Sequence, residues 1–210
     1  MISLDEPSDS IDDPFPVRVF DNVLDPDFYA CLLATLPADG MVPIGAAGNK
    51  VTFNNRDALF LAWLERNPDW HEFYFGLLYD FSSMCGNLLG TRPGSAFRFE
   101  FSRLPANDGG VWPHTDTQRK IATAVLFMEP DWRSEWGGAF EVLRHRTAPD
   151  ADFTGLKPGW GEVETVLEVP LVPRRMLFMR RTNNSLHGVR PLRSPRPRRS
   201  VTINLLEFAA

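Results

Sequence analysis

Two histidines and one aspartate are the residues of this sequence best placed to do chemistry together. His114 and Asp116 stand two apart within WPHTDT, and on an extended segment that spacing turns both side chains to one face, within reach of one metal ion. A lone H-x-D is common by chance. Its weight comes from His187 in a later segment, followed eleven residues on by Arg198, Arg199 and Ser200. Two imidazoles and one carboxylate on one face of an octahedral iron leave the opposite positions open for reaction, whereas zinc is more often enclosed or held by three histidines or cysteines. The remaining histidines show no such pattern: His71 lies in a helical stretch and His145 follows a strand, so both are read as ordinary side chains. The signatures of phosphate-binding loops, dinucleotide folds, serine hydrolases and common zincins are all missing.

The elements that must position these residues follow from hydrophobic periodicity. After an acidic leader at 1–14, expected to be flexible, Phe15 to Leu24 reads as a short strand leading into a helix. Asp25 caps that helix, Pro26 fits its first turn, and Phe28, Leu32 and Leu36 share a face until Pro37. Gly40 to Asn49 reads as loop, Asp57 to Arg66 as a second helix, and Pro68 starts a third that runs through Leu88. From Ser95 the period drops to two, with Phe97, Phe99 and Phe101 alternating against Arg98, Glu100 and Ser102. Eight short strands are expected: Phe97–Leu104, Val111–Asp116, Ile121–Met128, Ala139–Leu143, Val163–Glu168, Arg175–Arg180, Leu186–Arg190 and Arg199–Phe208. No helices intervene, so an antiparallel sandwich or jelly roll is predicted. Arg144 to Gly161 is longer than a hairpin needs and is a candidate lid.

Composition narrows the classes. A chain of 210 residues with 43% hydrophobic content suits one domain, taken as 15–210, and its 18 prolines disfavour a helical bundle. Cys31 and Cys85 have no paired spacing, and no cationic, apolar leader or apolar run of about 18 residues is present. A cytoplasmic protein with no membrane partner is expected. The net charge of −5 is unevenly spread, with eight acids against Arg18 alone in residues 1–30, and nine arginines but no acid between Val169 and Leu206. Most of those arginines are read as balancing the acidic end, and at least one as holding an anionic small molecule. A pI near 5.4 weighs against nucleic acid as partner.

With these residues in view, the sequence resembles the 2-oxoglutarate/Fe(II)-dependent oxygenases of the prolyl-4-hydroxylase-like branch. The resemblance rests on WPHTDTQRKIATAVLFM and DWRSEWGGAFEVL, and on RRMLFMRRTNNSLHGVRP and RPRRSVTINLLEF, which together cover the C-terminal half. It implies an α+β fold: a double-stranded β-helix of about eight antiparallel strands at 95–208, with a helical N-terminal part at 15–94 packed on one sheet. It further implies that His114, Asp116 and His187 ligate Fe(II), and that Arg198 and Ser200 hold the distal carboxylate of 2-oxoglutarate. Hydroxylation of a small-molecule or short peptide substrate with O2 follows, with ascorbate as a stimulant. Relatives often carry tyrosines where this chain has Leu104 and Phe127, so Thr123 or Lys120 is expected to supply the missing contacts. Strand parity assigns the cosubstrate to Arg198, which shares its face with Ser200, Thr202 and Asn204, and not to Arg199. The alternative is a cupin-like jelly roll that uses the same metal ligands for isomerisation or ligand binding, without 2-oxoglutarate turnover.

Overall fold

The structure, a computed structural model, describes residues 2–37, 42–43 and 50–207. The first part of the chain forms β1 (Asp9–Ile11), β2 (Val17–Phe20), α1 (Pro26–Ala34), β3 (Val42–Pro43), β4 (Val51–Asn54), α2 (Phe60–Glu65) and α3 (Pro68–Leu89). The remainder is almost wholly sheet: β5 (Ala96–Leu104), β6 (Val111–His114), β7 (Lys120–Phe127), β8 (Phe140–His145), β9 (Val163–Val169), β10 (Met176–Arg180), β11 (His187–Val189) and β12 (Arg198–Leu206). Two antiparallel sheets result, one ordered β1-β2-β10-β7-β12-β5-β4-β3 and the other β6-β11-β8-β9. The helices cover the outer face of the larger sheet.

Period-two alternation sorts the larger sheet's side chains into two layers. Along β12, Val201, Ile203 and Leu205 join the core beneath the helices, while Arg198, Ser200 and Thr202 face the space between the sheets. β10 divides the same way: Met176 and Phe178 turn to the helices, Leu177 and Met179 to the second sheet. Because both faces of β7 and β10 are covered, these strands read as nearly continuous apolar runs. The helix-side core is aromatic. Trp70 and Trp63 meet the ring of Phe101 edge-on, at 4.7 and 5.0 Å between centroids, and each such pair adds about 0.5–1.5 kcal/mol beyond area burial.

The helix ends obey local chemistry. The Asp25 carboxylate accepts from the N–H groups of Asp27 and Phe28 at 2.9 and 3.1 Å, which satisfies donors left open at the start of α1. At the far end of α3, Gly90 takes the left-handed conformation (φ +62°) that ends a helix at little steric cost.

The eight expected strands are β5 to β12, with ends matched to within two residues wherever the structure describes them; Phe208, the expected last strand's end, lies outside the described residues. Three expectations for the N-terminal part are corrected. The leader is not loose: β1 pairs with β2, the Ser3 N–H donates to the Val23 carbonyl at 2.9 Å, and Ile2 and Leu4 pack against the helix-side core. The strand expected within Phe15 to Leu24 forms as β2, but β3 and β4, expected nowhere, also extend the larger sheet. The second helix is shorter than expected because the Asp57 carboxylate accepts from the Asn54 N–H at 2.6 Å and fixes a turn there. Of the loop expected at Gly40 to Asn49, residues 42–43 form β3 and the rest lies outside the described residues.

The charge asymmetry resolves only partly as expected. Arg175 forms a two-point pair with Asp21, at 2.6 and 3.0 Å. Arg199 and Arg190 instead meet mid-chain acids, Glu129 at 2.9 Å and Glu141 at 2.8 Å.

Candidate functional site

His114 and His187 are cross-strand neighbours where β6 pairs with β11, their ring centroids 4.4 Å apart. The register then slips: Val189 faces Val111, so three steps along β6 match two along β11. The extra residue makes a bulge at Trp112–Pro113, where proline has no N–H to give to a ladder, and a bulge re-aims the side chain that follows it. Asp116 lies beyond the end of β6, in the turn before β7. His114 and Asp116 do meet, as the two-residue spacing of H-x-D predicts, and the bulge lies upstream of both, between His114 and Val111. The ligand atoms of His114, Asp116 and His187 all lie within 4.8 Å of one another, a grouping of metal-binding side chains with no counterpart among the described residues.

Each imidazole is oriented by a backbone carbonyl. His114 Nδ1 lies 2.8 Å from the Trp112 oxygen and His187 Nδ1 lies 3.0 Å from that of Ser185. A protonated Nδ1 satisfies each carbonyl and leaves the Nε2 lone pair for a metal. Burial pushes His187 down to about 3, reinforced by His114 and opposed by Asp116; burial likewise lowers His114. Both rings are therefore neutral at pH 7. Burial alone would raise Asp116, but Lys120 and the two histidines together hold its carboxyl far below the usual range. Lys120 Nζ donates to Asp116 Oδ1 at 2.6 Å and Thr123 Oγ1 to Oδ2 at 2.9 Å. Two neutral imidazoles and an ionised carboxylate are the donor set a ferrous ion takes.

A cavity of about 150 Å³ between the sheets is walled by the three ligands together with Lys120, Arg198 and Ser200. Arg198 is 5% exposed, and its Nε donates to the Gly138 carbonyl at 2.8 Å. Its guanidinium lies over the Phe127 ring at 5.5 Å. Burial lowers it to about 10, opposed by Glu129, so it remains a cation. Among the described residues no carboxylate lies within 4 Å of it, because Glu129 is held by Arg199. A buried cation without a paired acid favours an anionic ligand.

The facing that strand parity predicts is seen: Arg198 and Ser200 line the cavity, and Arg199 does not. Lys120 and Thr123 also line it, but both are engaged by Asp116. Leu104 faces the cavity. Two contributors escaped the sequence reading. Gly138 has φ +77°, and a Cβ there would meet Trp132 at 3.3 Å and Arg198 Cδ at 3.4 Å, so the glycine lets the arginine lie flat against the chain. Lys50 also lines the cavity, its Nζ 3.2 Å from Glu100 Oε1; a single lysine in a stretch without a motif gives no signal. His71 and His145 stand apart from the metal-binding group, His71 against Phe75 and His145 stacked on Phe153 at 4.9 Å.

The candidate lid is docked. Phe153 is buried with Leu143, Val163 and Leu186, and its carbonyl accepts from Thr115 Oγ1 at 3.1 Å. No helix among the described residues is long and apolar enough to cross a membrane.

Comparison with known proteins agrees with this architecture. In solved structures, a prolyl 4-hydroxylase from Phytophthora capsici aligns with TM-score 0.62 at 17% identity, covering 91% of this chain and 58% of that one. The chain thus spans little more than half the length of that relative. A 2-oxoglutarate-dependent carbocyclase of nogalamycin biosynthesis, SnoK, aligns with TM-score 0.61 at 15% identity, covering 91% of this chain and 79% of its own. HygX from Streptomyces hygroscopicus, solved with nickel and 2-oxoglutarate, aligns with TM-score 0.59 at 10% identity, covering 91% and 83%. At such identities these are likenesses of fold. No curated protein matches by sequence. The family model of the 2OG-Fe(II) oxygenase superfamily matches residues 99–206, from β5 to the end of β12. That is just over half of the 210 residues, and the chain belongs to the 2OG-Fe(II) oxygenase superfamily, with Fe(II) and 2-oxoglutarate as its cofactors.

Proposed function

We propose that the protein hydroxylates a small-molecule or short peptidyl substrate, converting 2-oxoglutarate and O2 to succinate and carbon dioxide as one oxygen atom enters the substrate. The observation that carries this reading is the pairing, across one cavity, of a neutral two-histidine, one-carboxylate face with a buried arginine that has no acid of its own. Bound to His114, Asp116 and His187, iron supplies the redox chemistry and the open coordination positions. The chain supplies position and exclusion of water. Arg198 offers its guanidinium fork, and Ser200 its hydroxyl, to the distal carboxylate of 2-oxoglutarate. Lys120 retains ammonium protons beyond the one given to Asp116 and can offer one to the cosubstrate, while Thr123 keeps Asp116 oriented. Retention of Asp116 as a ligand favours hydroxylation, since related halogenases lack this carboxylate and place chloride there. Free Cys31 and Cys85 suit a reducing cytoplasm.

The test is anaerobic addition of Fe(II) and 2-oxoglutarate to the metal-stripped protein. The weak visible charge-transfer band of the chelate is expected in wild type and its absence in Arg198→Ala at the same cosubstrate concentration. Since the same fold hosts a carbocyclase, turnover under labelled O2 then decides the outcome: label in succinate and in product supports hydroxylation. A protein that binds iron but neither forms the chelate nor releases succinate sinks the reading.

A further inference from the structure

Arg181 directly follows the last residue of β10, and its guanidinium reaches three separate segments. Nε donates to the backbone carbonyl of Asp116 at 3.4 Å, Nη1 to Asn183 Oδ1 at 2.7 Å and Nη2 to Thr154 Oγ1 at 2.6 Å. Two of these arms end on the chain that carries the metal-binding face. The first holds the Asp116 backbone itself. The second holds the turn before His187, in which the Ser185 carbonyl orients His187 Nδ1. The third arm recruits the docked loop, which closes the circuit by its own contacts: the Phe153 N–H donates to the Asn183 carbonyl at 2.8 Å, and Asp152 Oδ2 accepts from Asn183 Nδ2 at 3.0 Å. The Phe153 carbonyl meanwhile accepts from Thr115, the residue between His114 and Asp116.

We infer that Arg181 is a positioning residue: with Thr154 and Asn183 it fixes the spacing of the Asp116 and His187 segments, and the loop at 144–161 is a brace on the metal site and not a lid. This rests on the reading that His114, Asp116 and His187 hold the metal. Only the planar guanidinium presents donors in the three directions required; a lysine at this position has one nitrogen for all of them. Groups that orient metal ligands typically contribute about 10–100-fold in metal affinity or activity.

The test is Co(II) titration of the metal-stripped full chain, followed by its visible absorption, with melting temperature measured in parallel without metal. Arg181→Met is expected to bind Co(II) roughly 10–100-fold more weakly with an altered spectrum, Arg181→Lys to recover only part of the affinity, and Thr154→Val to lose several-fold. A folded Arg181→Met that binds Co(II) with wild-type affinity and spectrum overturns the inference, even if its melting temperature falls. Should Arg181→Met not fold, Thr154→Val decides: wild-type affinity and spectrum overturn the inference, weaker binding supports it. His187→Ala separates the two readings, because undiminished Co(II) binding there refutes the metal assignment itself and not the brace alone.

Discussion

Lys120 Nζ lies 2.6 Å from Asp116 Oδ1, so a fixed cation sits against a carboxylate that also faces the metal position. The pairing keeps Asp116 ionised, yet it sets an ammonium close to a dication. At an effective dielectric of about 20, charges a few ångströms apart still interact by several kcal/mol. Lys120→Met is therefore expected to bind Co(II) about tenfold more tightly in the absence of cosubstrate, and to bind 2-oxoglutarate more weakly once metal is present. Isothermal titration in both orders checks this. Equal affinities in wild type and variant would show that Lys120 merely covers the carboxylate.

The triad predicts a sharp division among the four histidines. His114→Ala, Asp116→Ala and His187→Ala should each abolish succinate formation and weaken metal binding by orders of magnitude. His71→Ala and His145→Ala should leave both within twofold of wild type, since neither ring belongs to the metal-binding group. Removal of metal with a chelator should abolish turnover in the wild type, and Fe(II) should restore it. Full succinate formation by His187→Ala would move the metal elsewhere.

How far the sequence discloses this site depends on the length of the pattern that carries each part. β5 and β12 alternate over nine residues each, long enough for parity to assign Arg198 inward and Arg199 away. β1, β3 and β4 span only two to four residues, too few for any period to stand out. The convergence of His114 and Asp116 was legible from their two-residue spacing, but the bulge at Trp112–Pro113 was not, because it is visible only once β11 lies alongside. Gly138 lies in a stretch the resemblance singles out, but its contact with Arg198 is with a residue distant in the chain, as are those of Lys50 and Arg181, and nothing local in sequence names those neighbours. Conversely, the acidic leader looked loose by composition alone, and edge pairing with β2 holds it in place.

Stability should carry a signature of the Asp21–Arg175 pair. The hydrogen bond from Arg175 holds the Asp21 carboxyl below its ordinary value, against a smaller opposing effect of burial. A carboxylate depressed in the folded state contributes stability that is fully present above its unfolded pKa, about 4, and is lost as pH falls through the folded value. Asp21→Asn should therefore lower stability at pH 7 by about 1 kcal/mol, the upper range for a partly exposed two-point pair. Denaturant unfolding between pH 7 and pH 2 should show the wild-type and variant curves converging at the acid end. A constant offset across that range would assign the effect to packing.

Arg198 and Arg199 are adjacent on β12 but face different worlds, and their variants should fail in different ways. Arg198 is buried at the cavity wall with no acid within 4 Å among the described residues, whereas Arg199 binds Glu129, a carboxylate 1% exposed, at 2.9 Å. Arg198→Ala removes one partner of a pair that exists only with cosubstrate bound, and leaving a buried carboxylate uncompensated costs on the order of 3–5 kcal/mol. The 2-oxoglutarate requirement should then rise at least a hundredfold, taking ~1.4 kcal/mol per decade. Arg198→Lys should fall between, since one ammonium replaces a two-point fork. The apo protein should lose little stability, because an unpaired buried cation is itself unfavourable in the absence of its anion. Arg199→Ala should behave in the opposite sense, losing on the order of 3 kcal/mol of stability through the stranded Glu129 while the folded fraction keeps its affinity for 2-oxoglutarate. Denaturant unfolding and cosubstrate titration on the same two variants separate these outcomes. A hundredfold loss of 2-oxoglutarate affinity in folded Arg199→Ala, with Arg198→Ala near wild type, would reverse the assignment of the two guanidinium groups.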